Sequence, residues 1–204
     1  MGCLYIYMQA LHGVDAVCIG VPVHGRRTRL QKKTIGMLTQ VVPVGLRPDA
    51  GTSFKELLGY VKQTLRSDLR HARSFLSSIV NQAAARWDTI GSPFEIVARF
   101  LAYDYNVDFG AIRSEGIVLE NDFADTPLVA TLRHHAHDAL LTLTIKARSD
   151  VFDDKSIIKF ASTLRVILHA AASASTVDIR SLDLIRQPSG ISSCLNGMTP
   201  QPRS

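Results

Sequence analysis

The sequence predicts an α/β domain of mixed α+β layers, with a mixed sheet covered by helices. Three observations carry that reading. The stretch "DAVCIGVPV" (15–23) is nearly continuous in apolar and small residues, the pattern of a strand covered on both faces. The stretch "LLTLTI" (140–145) alternates apolar with polar residues, the pattern of a strand with one wet face. Two long segments, 51–72 and 153–171, repeat apolar residues at helical spacing behind residues suited to capping a helix. Strands of both kinds interleaved with amphipathic helices build layers. A chain of 204 residues, 46% hydrophobic and 20% charged, suits one compact domain or a large piece of one.

The elements follow in order. Residues 3–11 read as the last turns of a buried helix, apolar from the first turn and stopped by Gly13. The strand 15–23 comes next, then a basic loop, then a second strand-like run, "IGMLTQVVPVGL" (35–46). In "GTSFKELLGYVKQTLRSDLRHA" Ser53 and Glu56 have the spacing of a capping box, and Phe54, Leu57, Leu58, Val61, Leu65 and Leu69 define an inner face. A second helix is expected at about 74–85, ended by Gly91 and Pro93, and "PFEIVARFLAYDY" (93–105) reads as a strand. Two short strands are expected at Gly116–Glu120 and Pro127–Arg133, and a longer one at Leu140–Ala147. The last helix, 153–171, has Asp153 as cap and Asp154 at the positive end of its dipole, with Ile157, Ala161, Leu164 and Leu168 as its inner stripe. From Gln187 the chain turns rich in Ser, Pro and Gly, so 1–186 is expected to form the folded unit and 187–204 a disordered tail.

Charge and cysteine usage exclude several classes. Net charge is +5, from 23 basic and 18 acidic residues, which describes a slightly basic surface. The densest basic run holds Arg26, Arg27, Arg29, Lys32 and Lys33, without interleaved aromatics or a recognition helix, so no nucleic-acid partner is expected. Cys3, Cys18 and Cys194 have neither the number nor the spacing of a disulfide framework or a zinc site, which fits a reducing, cytoplasmic setting. The apolar N-terminus lacks a basic flank and a cleavage site, and is short of the ~20 residues that span a bilayer, so no membrane association is expected. Neither a G-x-S-x-G elbow nor a phosphate-binding glycine loop occurs.

One cluster invites a catalytic or metal reading: His134, His135, His137 and Asp138 in "RHHAHDALLTLTI". Two histidines at i, i+2 with one aspartate fall short of the four ligands of structural zinc, so no metal site is expected and the cluster reads as a polar hairpin tip.

Several stretches share a resemblance. "VDAVCIGVPVHGR" resembles the segment of nonribosomal peptide synthetase condensation domains in which an apolar strand ends in G-x-P-x-x-x-R, here Gly20, Pro22 and Arg26. "IGMLTQVVPV" resembles the family's I-G-M-F-x-N-x-x-P-x-R pattern: Ile35, Gly36, Met37 and Pro43 match, while Leu38, Gln40 and Gly45 replace Phe, Asn and Arg. The helix with Ser53 resembles the one that leads to a His-Gln-x-x-Pro-Phe motif, of which His71 and Phe75 are reminiscent. The segment from Phe123 to Leu168 resembles the closing hairpin and final helix. The likeness covers residues 3–185. It implies a chloramphenicol-acetyltransferase-like lobe, and all the matches fall in the second of the family's two lobes.

The resemblance also implies function. The complete domain joins a carrier-bound acyl or peptidyl thioester to the amine of a carrier-bound aminoacyl group. Both ride on phosphopantetheine of partner carrier proteins, and no cofactor is bound. The family's His-His-x-x-x-Asp-Gly motif carries the catalytic histidine in the first lobe. "HHAHDAL" does not reproduce it, since Ala139 stands where Asp belongs and Leu140 where Gly belongs. No catalytic residue is therefore expected here. The positions expected near the cleft between lobes are Gly20, Pro22, His24, Arg26, Ile35, Gly36, Met37, Gln40 and Pro43. The expected partners are carrier domains and a first lobe missing from this chain. The alternatives are a non-catalytic module that docks a carrier or complements a lobe, with Arg26 to Lys33 facing an acidic surface, or a gene remnant without function.

Overall fold

The structure, a computed structural model, describes residues 1–26, 28–71, 92–102, 126–134 and 141–173, with single positions 110, 112, 176, 178 and 179. The elements are α1 (Gly2–His12), β1 (Val17–Val23), α2 (Arg29–Lys33), β2 (Gln40–Leu46), α3 (Phe54–His71), β3 (Ile96–Leu101), β4 (Leu128–His134), β5 (Leu141–Ala147) and α4 (Asp154–Ser173). The strands form one sheet in the order β2-β1-β3-β4-β5. Its two central pairings, β1 with β3 and β3 with β4, are parallel, and its outer pairings are antiparallel.

Side-chain alternation assigns the faces. Val17 and Ile19 of β1, Val44 and Leu46 of β2, Ile96 of β3, and Leu128 and Ala130 of β4 share one pleat and are buried. Against them pack Leu4, Tyr5, Ile6 and Tyr7 of α1, Phe54 and Leu57 of α3, and Phe160, Leu164, Ile167 and Ala171 of α4. Tyr7 meets Phe160 edge to face, with ring centroids 4.7 Å apart. Gly13 ends α1 in the left-handed conformation (φ 62°), and its N–H donates to the Gln9 carbonyl. The Tyr5 hydroxyl donates to the Asp15 carbonyl at 3.3 Å and ties the turn that leads into β1. This is the layered α/β domain the sequence predicts.

Some expectations are corrected. The second strand begins at Gln40, not at Ile35, because Ile35 and Met37 project into solvent, 100% and 91% exposed. The basic loop contains a one-turn helix, α2, fixed by a capping box. The Thr28 N–H donates to Gln31 Oε1 (2.9 Å), and the Gln31 N–H donates to Thr28 Oγ1 (3.1 Å). On α3, Leu58 is half exposed while Leu57 is sealed. On α4 the buried stripe is Phe160, Leu164, Ile167 and Ala171 rather than one running to Leu168, since α1 packs on the side of Phe160. Leu141 is exposed at the start of β5. The strand read at 93–105 is confined to β3 within the described residues. The helix at 74–85, the strand at Gly116–Glu120, the hairpin tip with His135, His137 and Asp138, Phe75, Cys194 and the tail from 187 lie outside the described residues.

Both long helices start where expected. Ser53 N–H and Oγ donate to Glu56 Oε2 (2.8 and 2.6 Å), and Glu56 N–H donates to Ser53 Oγ (3.3 Å). At α4, Ser156 N–H donates to Asp153 Oδ1 at 2.8 Å. These bonds hold the Glu56 and Asp153 carboxyls below their ordinary values of 4.5 and 3.8. A carboxyl lowered by folding stabilises the fold above its unfolded value, and that contribution is lost as pH falls through the lower folded value. Thermal melts followed by helical circular dichroism should therefore weaken on acidification below about 4.5, the ordinary glutamate value. Glu56→Gln should remove part of that dependence; an unchanged acid limb would show that the cap at α3 contributes nothing.

Candidate functional site

The site is built where β1 and β3 part. Their pairing consists of Ile19↔Ile96 and Gly20↔Val97, and beyond Gly20 the two strands stay paired to their outer neighbours, β2 and β4. The diverging ends leave a cavity of about 470 Å³ lined by Pro22, Val23, His24, Thr39, Arg99, Phe100, Leu101 and Ala102. Gly20 stands at the apex of the fork. A Cβ there would lie 2.6 Å from the Phe94 ring and 2.9 Å from Val41, so only hydrogen fits beneath the buried Phe94. Pro43 lies opposite Gly20 in the ladder, and Gln40 lies opposite Val23.

The β1–β2 loop starts at the rim of this cavity with His24 and returns to it with Thr39. Its neck is tight: a Cβ on Gly25 (φ 63°) would stand 2.0 Å from the Leu38 carbonyl oxygen. The Arg26 guanidinium organises what lies beyond. Nη1 donates to the Gln31 and Thr34 carbonyls (both 2.6 Å) and Nη2 to the Gly36 carbonyl (2.7 Å). Thr34 Oγ1 donates to the Leu30 carbonyl at 2.9 Å. Gly36 takes φ 145°, which L side chains rarely adopt. Ile35 and Met37 flank it and point away from the frame into solvent.

The cavity suits an extended, uncharged or anionic chain. Its walls are apolar at Pro22, Val23, Phe100 and Leu101, and Arg99 and His24 add groups that bind anions when charged. The described thiols are poor nucleophiles. Burial pushes Cys3 and Cys18 above the ordinary thiol value, and the Asp68 carboxylate raises Cys18 further. His12 ends α1, where burial lowers its pKa and its Nε2 has no hydrogen-bond partner among the described residues. Among the described residues no group of three or more His, Cys, Asp or Glu is arranged to hold a metal. No helix among them is long and apolar enough to cross a membrane.

Of the positions singled out in the sequence, Gly20, Pro22, His24, Gln40 and Pro43 come together around the parted strands. Arg26 and Gly36 meet within the loop as donor and acceptor, while Ile35 and Met37 converge on neither cavity nor core. Sequence reasoning missed Thr39, Arg99, Phe100 and Leu101. Their role depends on the β1–β3 register, and nothing local marks it.

The family model described as Condensation domain matches residues 1–189. Gramicidin S synthase 2 of Brevibacillus brevis is 22% identical over 191 residues, which is 89% of this chain and 4% of that protein. Hybrid PKS-NRPS synthetase 1 of Dothistroma septosporum is 28% identical over 147 residues, 71% of this chain and 4% of that protein. Among solved structures, the starter condensation domain of rhizomide synthetase superposes with a TM-score of 0.72 at 18% identity, covering 90% of this chain and 43% of that one. The first condensation domain of the calcium-dependent antibiotic synthetase, in complex with a substrate analogue, gives 0.74 at 18% identity, with coverages of 90% and 42%. The chain thus spans less than half of the solved condensation domains it matches and about 4% of these curated relatives. The shared fold is the chloramphenicol-acetyltransferase-like one of condensation domains.

Proposed function

This chain belongs to the condensation-domain family of nonribosomal peptide synthetases, and from that premise we propose that it forms the non-catalytic lobe of an amide-forming site. In this reading the complete domain joins a carrier-bound acyl or peptidyl thioester to a carrier-bound aminoacyl amine. The lobe contributes one wall of the cleft, and the catalytic histidine comes from the complementary lobe. The observation that carries the reading is the pairing of a family match over 1–189 with coverage of 43% of a solved condensation domain. The sequence contains no His-His-x-x-x-Asp-Gly, which supports the assignment of the histidine to the other lobe.

The cavity gives the lobe its task. A phosphopantetheine arm is linear, has an anionic end and carries amides along its length. The fork between β1 and β3 offers a cavity with apolar wall at Pro22, Val23, Phe100 and Leu101 for the arm, and Arg99 and His24 for its anionic end. The lobe would hold the arm in line with the reacting carbonyl, and proton transfer would belong to the histidine of the other lobe.

The purified chain, given aminoacyl- and peptidyl-carrier substrates, is expected to form no amide above the uncatalysed background by mass spectrometry. Amide formation that depends on this chain alone would overturn the lobe assignment. In the same preparation, phosphopantetheine should shift the amide resonances of Phe100 and Leu101 in a two-dimensional spectrum. Shifts confined to other elements would remove the cavity from the reading.

A further inference from the structure

The feet of β1 and β3 hold a second cavity, of about 280 Å³, at the opposite end of these parallel strands from the one between their tips. The two share no lining residue among those described, and the Phe94 ring reaches from this one to Gly20 at the apex of the fork. Its apolar walls come from Met8 of α1, from Val14 and Val17 at the entry to β1, and from Phe94 and Ile96 at the entry to β3. The polar side chains that line it are Cys18, Ser92 and Glu95. Ser92 is used locally: its Oγ donates to the Phe94 carbonyl (2.7 Å) and accepts from the Phe94 N–H (3.4 Å). Cys18 is a neutral thiol, raised first by burial and then by the Asp68 carboxylate. That leaves Glu95. Its carboxyl has no hydrogen bond or ion pair among the described residues, and burial raises it above its ordinary value of 4.5. No Lys, Arg or His lines the cavity among the described residues. A carboxylate drawn out of water beside apolar walls, with no cation to meet it, is a cost that a bound cation offsets.

We propose that this cavity binds a small apolar ammonium, its charged end pairing with Glu95 and its apolar body filling the space between Met8, Val14 and Phe94. The inference goes beyond the lobe reading and stands whether or not that reading holds. Charge and shape select the class. Glu95 repels an anion, and so does Asp68, whose field reaches Cys18. A neutral apolar molecule leaves the carboxylate unpaired. A bare divalent ion needs several oxygen ligands, and no group of three or more His, Cys, Asp or Glu among the described residues supplies them. An ammonium on a short apolar body meets both the carboxylate and the walls. The volume suits a single ring or a short chain rather than the long arm assigned to the larger cavity.

The test titrates the full chain with benzylamine, benzyl alcohol and phenylacetate and follows two-dimensional amide spectra. Benzylamine, charged at neutral pH, is expected to shift the amides of Val17, Cys18, Phe94 and Glu95. It should bind about tenfold or more tightly than benzyl alcohol, the margin of one charge-assisted hydrogen bond, and phenylacetate should leave these resonances in place. Glu95→Gln keeps the shape and removes the charge, so it should bind the amine and the alcohol alike. Glu95 is only partly buried, and the variant should melt as the wild type does. Methyl methanethiosulfonate gives a second reading: saturating benzylamine should slow its reaction with Cys18, followed by mass spectrometry, and leave its reaction with Cys3, which does not line the cavity, unchanged. Equal affinity of the wild type for amine and alcohol would overturn the ammonium class. A preference for the amine that survives Glu95→Gln would overturn Glu95 as its partner. Shifts that avoid Val17, Cys18, Phe94 and Glu95, or no shifts at all, would overturn the cavity as a site, and so would a Cys18 that the amine does not protect.

Discussion

Leu57→Ala is expected to destabilise the domain by about 3–4 kcal/mol, the cost of deleting three buried carbons and leaving a cavity that closes only in part. For a domain of this size that lowers the melting temperature by roughly 10 °C. Leu57 is fully sealed in the core where α1 meets α3. The two helices approach closely there. A Cβ on Gly2 would sit 3.5 Å from Leu57 Cδ2 and 3.6 Å from the Phe54 ring, so α1 has little room to sink into the void. The control is one position along. Leu58 is 49% exposed, and Leu58→Ala should cost less than about 1 kcal/mol. Calorimetric melts of the two variants side by side check the pair; equal losses would mean that α3 is rotated from the position described.

The contrast between Leu57 and Leu58 marks what was legible in the sequence. The capping box at the start of α3 was readable because it joins residues three apart, and Gly13 was readable as a stop for the same local reason, whereas the Thr28–Gln31 box was missed. The face a helix turns inward is a different matter. On α3 and α4 apolar residues occupy more of the circumference than the core can take, and the neighbour decides. On α4 the edge-to-face contact of Phe160 with Tyr7 of α1 draws in Ile167 and leaves Leu168 half exposed.

The site was harder to read for the same reason. Apolar character at Ile35 and Met37 suggests a strand, yet these residues ride on a loop gathered by Arg26, whose acceptors in the loop are backbone carbonyls, and carbonyls leave no trace in a sequence. Gly20, Pro22 and His24 were singled out by resemblance, and the fork explains why they belong together. Arg99 and Phe100, some 75 positions away in the chain, join them only through the pairing of Ile19 with Ile96 and Gly20 with Val97.

Gly25→Ala is expected to release the β1–β2 loop. The added Cβ would fall 2.0 Å from the Leu38 carbonyl oxygen, on a backbone at φ 63°. The conformation alone costs an L residue about 1–3 kcal/mol, and the overlap adds to it because the obstacle is main chain and cannot rotate aside. The strain need not unfold the sheet. The loop lies between the end of β1 at Val23 and the start of β2 at Gln40, and it can open while those strands stay paired. The fall in melting temperature should therefore be smaller than the strain suggests, and the signal should be local. Amide hydrogen exchange across residues 28–39 should quicken by tenfold or more, while exchange in β1 and β2 holds. Arg26→Ala should produce the same local pattern, since it frees the carbonyls of Gln31, Thr34 and Gly36 at once. The double variant then decides whether the loop is one cooperative unit. If Gly25 and Arg26 hold the same frame, opening it once uses up both effects, and Gly25→Ala/Arg26→Ala should exchange no faster than the more severe single variant. Rates that multiply would mean that the neck and the guanidinium act on separate parts of the loop, and Ile35 and Met37 would then lack the common frame that presents them.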